Sequence, residues 1–178
     1  MKIIQFPQLR QSFDYDCGAE ALRGILGYYG IDEDLGKIIK EAKTTEKHGT
    51  QFDGIIRVLK KHNLRHEFKS MTVIELEKYL DKNIPVIIEL QAWPEKKKAD
   101  LKESWDNSHF VIAIGYTDNE IIFEDPAVLH KTSLAFNDLM DRWHSTSTKR
   151  GKTIKHENMG VAVFGEPKYA HNNIIRMR

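Results

Sequence analysis

The stretch QSFDYDCGAEALRGILGYYG, residues 11–30, contains the single cysteine of the chain, Cys17, directly before an apolar pattern of helical spacing. A thiol in the first turn of a helix lies at the positive end of the helix dipole, which favours the nucleophilic thiolate. Gln11 lies upstream and carries an amide that can donate a hydrogen bond to a developing oxyanion. Free cysteines are usually buried and unreactive, so this stretch is a candidate active site only if the chain also supplies a base.

The composition is that of a globular domain with no strongly charged partner. The chain has 178 residues, of which 40% are hydrophobic, and 27 Lys and Arg residues balance 26 Asp and Glu residues. We therefore expect one domain over residues 1–178 and no nucleic acid partner. One cysteine excludes an internal disulfide framework, and no apolar run is long enough to span a membrane. Because the N-terminus lacks a signal-peptide pattern, we expect a cytoplasmic location.

The first half of the sequence is predicted to be mostly helical. The apolar pattern after Cys17 ends at Gly30, a residue favoured just beyond a helix C-terminus. Asp32 is a suitable cap for a second helix, and Thr72 with Glu75 has the spacing of a capping box. The expected elements are a strand at 2–6, helices at 17–30, 33–42, 52–63 and 73–80, and a strand at 64–69.

The second half changes to strand patterns. PVIIEL at 85–90 predicts a central strand, and HFVIAIGY at 109–116 with IIFED at 121–125 predicts an antiparallel hairpin. A lysine-rich loop at 93–107, a helix at 133–143, a basic connection at 145–158 and a last strand at 159–165 complete the pattern. The predicted class is α+β, with a helical N-terminal half packed on an antiparallel sheet from the C-terminal half. This arrangement resembles papain-like folds.

The predicted hairpin supplies a base and a partner for it. His109 opens one strand and Asp125 closes the other, so the two residues should be neighbours in an antiparallel pair. Cys17 would then attack a carbonyl carbon, His109 would transfer the proton, and Asp125 would orient the imidazole. Gln11 and the Cys17 N–H would stabilise the oxyanion. Taken singly, His109 is more often a structural histidine at a strand end and Asp125 a residue of an Asp-Pro turn, so the hypothesis depends on the hairpin that brings the two together.

Four segments resemble the bacteriocin-processing cysteine peptidases, which trim leader peptides after a Gly-Gly pair: Gln11 followed by DCGAEAL, SHFVIAIGY, FEDPAV, and a helix ending at Trp143. The likeness covers roughly residues 5–165. It implies a papain-like thiol peptidase with Gln11, Cys17, His109 and Asp125 as the functional residues. It also implies a peptide or protein substrate, with no cofactor and no metal.

The chain departs from the best-known members of that family, which form the N-terminal domain of exporters. It contains no membrane span and no ATP-binding motif, so we expect a stand-alone enzyme. The loop at 93–107 is longer and more basic than expected of the transporter-attached type, which leaves the preference for Gly-Gly leaders open. The oligomeric state is also open.

Two other functions use the same residues. The first is acyl transfer from the thioester to an amine or thiol, and the second is peptide binding without turnover. Trp105 is predicted either to shield the His109–Asp125 pair or to anchor its loop. His62 and His66 are not expected to bind a metal, because the helix should end between them.

Overall fold

A computed structural model describes residues 1–94 and 100–170. Within these residues the elements follow the order β1 (Lys2–Ile3), α1 (Cys17–Tyr28), α2 (Leu35–Ala42), α3 (Phe52–Lys61), β2 (Arg65–Ser70), α4 (Val73–Asp81), β3 (Val86–Gln91), β4 (Ser108–Tyr116), β5 (Glu120–Glu124), β6 (Thr132–Ala135), α5 (Phe136–Arg142), β7 (His144–Lys149), β8 (Lys152–Glu157) and β9 (Met159–Phe164). The predicted single domain over 1–178 includes residues 171–178, which lie outside the described part, and it stays a prediction.

Helix α1 is the buried helix of the first half. It begins at Cys17, as predicted, and packs against α2, α3 and strand β4. Gly30 follows it with a φ of 78°, a left-handed conformation that favours glycine and turns the chain out of the helix. The nucleophile candidate therefore lies on an element that is held on several sides by the core.

The start of α2 differs from the prediction. Asp34, rather than Asp32, is the N-cap, and its carboxylate accepts a hydrogen bond from Lys37 N. Asp32 and Asp34 are both residue types that can cap a helix. The helix starts after Asp34, and in this position it buries Ile38 and Ala42. In α4 the capping box of Thr72 and Glu75 is present as predicted.

The main sheet is antiparallel, in the order β2-β9-β3-β4-β5-β6, with β1 paired to β4. Strand β3 is buried along its whole length between β9 and β4, which confirms the predicted central strand. The β4–β5 hairpin is also confirmed, with Tyr116 opposite Ile121 and Ile112 opposite Glu124. Strands β1 and β2 come from the first half of the chain and join the sheet that the second half forms.

One prediction for the second half is wrong, and one pair of strands was not predicted. The helix predicted at 133–143 begins only at Phe136, because residues 132–135 pair with β5 as strand β6. The basic connection predicted at 145–158 is mostly a separate two-stranded ribbon, β7–β8, which turns at Gly151. Its side chains are mainly polar and partly exposed, so no apolar alternation marks the strands.

The observed fold is helices packed on an antiparallel sheet, which confirms the predicted α+β class. The core includes side chains from the helices and from strands β3, β4, β5 and β9. Among the described residues, no helix is both long enough and apolar enough to cross a membrane.

Candidate active site

Cys17 is the first residue of α1 and is 8% exposed. The preceding residue, Asp16, is fully buried, and its carboxylate accepts hydrogen bonds from the backbone N–H groups of Ser12 and Phe13 at 3.3 and 3.2 Å. These bonds turn the incoming loop back on itself and fix the direction in which the helix starts. Cys17 is one of the residues that line a surface cavity, while the residue itself stays largely buried.

Gly18 allows the start of α1 to approach the sheet closely. A Cβ at this position would lie 2.6 Å from Thr50 Cβ and 2.8 Å from Phe110 Cδ2. Phe110 directly follows His109 in β4. The absence of a side chain at Gly18 thus sets how near Cys17 comes to the strand that carries the histidine.

His109 and Asp125 lie together at the end of the β4–β5 hairpin. His109 Nε2 is 2.7 Å from Asp125 Oδ1, and both side chains are buried. The Asp125 carboxylate also accepts hydrogen bonds from Ala127 N at 2.9 Å, Trp93 Nε1 at 3.1 Å and Thr132 Oγ1 at 3.4 Å. With this many donors, the carboxylate is fixed in position and can orient the imidazole.

The electrostatics of the pair favour a charged imidazole. Burial lowers the pKa of His109, but hydrogen bonds and charge interactions with Asp125 and Cys17 outweigh burial and raise that pKa to about 9. Burial raises the pKa of Asp125, whereas the bonds from His109, Ala127 and Trp93 together lower it below its usual value. Because Asp125 occupies Nε2, Nδ1 is the ring nitrogen that remains for the Cys17 thiol. The arrangement can hold a thiolate beside an imidazolium.

Gln11 lines the same cavity as His109. Its backbone N–H donates to Pro126 O at 2.9 Å, and its side-chain Nε2 donates to Phe13 O at 2.9 Å. A primary amide has two N–H groups, so one remains for a substrate oxygen. Gln11 Oε1 is buried and has no hydrogen-bond partner within residues 1–94 and 100–170.

The loop that carries Gln11 is held by two carboxylates that sequence reasoning did not identify. Glu124 Oε1 accepts from Leu9 N at 2.9 Å, and Glu20 Oε1 accepts from Arg10 N at 3.3 Å. Burial raises the pKa of both carboxyl groups. Glu20 directly follows DCGA and Glu124 directly precedes Asp125, so both lie in segments that the sequence analysis identified. Their contact with the loop of Gln11 exists only in the folded chain.

Of the two roles predicted for Trp105, the structure favours the loop anchor. Its ring packs on His144 at a centroid distance of 4.4 Å and lies under Lys155 Nζ at 4.2 Å. The tryptophan that contacts Asp125 is Trp93, which follows β3 and has a φ of 51°. In the sequence, the feature that pointed to Trp93 was its position at the start of the lysine-rich loop.

No group of three or more His, Cys, Asp or Glu side chains in the described ranges is arranged to hold a metal ion. His66 Nδ1 instead lies 2.9 Å from the backbone oxygen of Leu64.

Residues 5–148 match the Peptidase C39 family. The Pediocin PA-1 transport/processing ATP-binding protein PedD of Pediococcus acidilactici is 28% identical over 148 residues, which are 80% of this chain. This chain spans 18% of the length of that protein.

Two solved structures share the fold. The peptidase domain of Streptococcus ComA, a bifunctional ABC transporter involved in quorum sensing, is 18% identical with a TM-score of 0.67, covering 91% of this chain and 100% of that one. A double glycine motif protease from an AMS/PCAT transporter, solved with its leader peptide, is 15% identical with a TM-score of 0.66, covering 91% and 93%. With the family match over residues 5–148, this chain belongs to the Peptidase C39 family and is a cysteine peptidase.

Proposed function

We propose that Cys17, His109 and Asp125 form a catalytic triad that hydrolyses peptide bonds through a thioester, with Gln11 and the Cys17 N–H as the oxyanion hole. The observation that carries this proposal is the 2.7 Å bond between His109 Nε2 and Asp125 Oδ1, which leaves the other ring nitrogen for Cys17. The raised pKa of His109, about 9, supports an imidazolium at neutral pH.

In the first half of the reaction, Cys17 Sγ forms a bond to the carbonyl carbon and the carbonyl oxygen becomes an oxyanion. Gln11 Nε2 and the Cys17 N–H donate hydrogen bonds to that oxygen. The C–N bond then breaks, and the imidazolium of His109 gives its proton to the leaving amine. The products of this half are the free amine and a thioester on Cys17.

In the second half, neutral His109 removes a proton from water, and the water oxygen attacks the thioester carbon. The C–S bond breaks, the carboxylic acid leaves, and the thiolate of Cys17 beside imidazolium His109 is restored. Asp125 keeps the ring in one orientation and stabilises its positive form throughout.

The substrate in this proposal is a peptide or protein segment in extended form. The AMS/PCAT relative was solved with a leader peptide, so double-glycine leader peptides are the first substrates to test. A cytoplasmic location stays a prediction from the sequence.

The test measures alkylation of Cys17 by iodoacetamide together with cleavage of peptides followed by mass spectrometry. We expect fast alkylation at neutral pH, its loss in His109→Ala, and loss of cleavage in Cys17→Ala without loss of thermal stability. His130→Ala, at an exposed histidine, is the matched control and should behave as the unaltered chain.

Unaltered alkylation in His109→Ala would show that the base is misassigned. Products extended by an added amine in place of water would instead identify acyl transfer. Peptide binding without any cleavage would identify a binding module.

A further inference from the structure

The candidate active site lies in a cleft made of two adjoining cavities. One is lined by Gln11 and His109, and the other by Cys17 and Glu89. The two cavities share Asp14, Asp106 and Ser108 in their linings, so they form one path past the thiol.

The proposed function sets the direction of a peptide along this path, and the inference rests on that function. His109 gives a proton to the leaving amine, so the amine side of the substrate must lie in the cavity that His109 lines. The acyl side, which stays bonded to Cys17, then lies in the cavity that contains Glu89.

Glu89 is the buried carboxyl group of the acyl-side cavity. It belongs to β3, pairs with Phe110 of β4, and is 6% exposed. Three further acidic residues line this cavity, Asp14, Glu46 and Asp106, and all three are exposed at its rim. A buried carboxyl group is rare unless it has a partner, and the hydrogen-bond partner of Glu89 is the neutral side chain of Ser145.

We propose that Glu89 makes the acyl-side cavity a specificity subsite for a basic side chain, Lys or Arg, of the peptide substrate. The cavity has a volume of about 350 Å³, which accommodates a long side chain. Its acidic rim attracts a cation, with Lys47 as the one lysine or arginine in its described lining. An ammonium or guanidinium group that reaches Glu89 would make a charge-assisted hydrogen bond away from water.

The protonation of Glu89 is consistent with this role. Burial raises its pKa to about 8, against the smaller lowering effects of a hydrogen bond with Ser145 and the charge of His109. Without substrate, Glu89 is therefore mostly neutral at pH 7 and does not leave an uncompensated charge in the sheet. A cation within about 4–6 Å would favour the carboxylate, so the subsite becomes charged when a basic side chain enters.

The test compares peptides that differ at one acyl-side position, carrying Lys, Arg, Gln, Met or Glu. At a pH above 8, where Glu89 is ionised, we expect kcat/KM at one position to favour Lys or Arg over Gln by about 10- to 100-fold, as for a hydrogen bond between charged groups. At pH 7 the preference should be smaller, because the neutral carboxyl group must first lose its proton. Glu89→Gln should abolish this preference, and Glu89→Lys should shift it toward Glu. Glu46→Gln, at the exposed rim, is the control and should keep most of the preference.

Binding of the same peptides to Cys17→Ala, measured by calorimetry, reads the subsite without turnover. Tighter binding of the Lys or Arg peptides supports the subsite. If the unaltered chain cleaves no peptide while this binding preference is present, the proposed function is overturned and the subsite is not. Equal affinity for the Lys and Gln peptides, or a preference that survives in Glu89→Gln, would overturn the subsite.

Discussion

The charged state of His109 should be visible in how the stability of the fold depends on pH. We consider the replacement His109→Gln, which removes the titrating ring and keeps a side chain that can donate to Asp125. In the unaltered chain the pKa of His109 is raised from 6.5 to about 9 by Asp125 and Cys17, against the effect of burial. Between these values His109 keeps a proton in the folded state that it has lost in the unfolded state.

The difference between the two pKa values sets the direction and the size of the pH effect on stability. The contribution of His109 to stability is fully present below pH 6.5 and is lost as the pH rises to about 9. A rise from 6.5 to about 9 corresponds to a difference on the order of 3 kcal/mol, at about 1.4 kcal/mol per unit. His109 is 7% exposed, so solvent screening removes little of it.

The assay is urea unfolding, followed by circular dichroism, at several pH values from 6 to 9.5. A Cys17 thiolate formed with the imidazolium would release the proton that His109 gains, so the comparison is made between Cys17→Ala and the double variant Cys17→Ala with His109→Gln. The difference in the free energy of unfolding should fall toward high pH by less than about 3 kcal/mol, because Cys17 contributes to the raised pKa of His109. Glu89 titrates in both proteins, so most of its effect cancels. A difference that stays flat or grows with pH would refute the assignment of a charged His109.

Three further substitutions test the surroundings of the site. Trp93→Phe removes the N–H that Asp125 accepts at 3.1 Å, so kcat/KM should fall by about 10-fold and the acid limb of the pH–rate profile should move to higher pH; an unmoved limb would contradict this. Gly18→Ala places a methyl group 2.6 Å from Thr50 Cβ and 2.8 Å from Phe110 Cδ2, and urea unfolding should record a loss of about 1–3 kcal/mol together with slower alkylation of Cys17. Unchanged stability would contradict the tight packing of α1 on Thr50 and Phe110. Gln11→Ala should lower kcat by on the order of 100- to 1,000-fold with little effect on alkylation by iodoacetamide, and an equal fall in both rates would argue for a structural role instead.

The parts of the fold that the sequence predicts are those where local pattern and tertiary packing agree. The β4–β5 hairpin is one, since two buried apolar strands flank a short polar turn closed by Thr117 N donating to Glu120 O. That hairpin alone places His109 beside Asp125. The capping box at Thr72 is another, because its bonds are made within one turn of helix.

The parts that were missed depend on contacts between distant segments. The β7–β8 ribbon has no apolar face, and polar contacts join it to the rest of the chain, such as Gln91 Nε2 to His144 O at 2.9 Å and Thr148 N to Gln51 Oε1 at 3.0 Å. Trp93 follows β3 and itself has a left-handed backbone conformation, with a φ of 51°. This turn in the chain brings its indole N–H to Asp125. None of these contacts leaves a periodic signal in the sequence, so spacing cannot reveal them.

Cys17 and His109 belong to different layers, the helix α1 and the strand β4, and they meet only when those layers pack. In the proposed mechanism, unfolding therefore separates the thiol from His109 and returns it to ordinary reactivity. Because the chain has one cysteine, every alkylated molecule reports on this same contact. The rate of Cys17 labelling therefore reports the fraction of folded molecules. It can be measured in turbid samples that prevent optical spectroscopy.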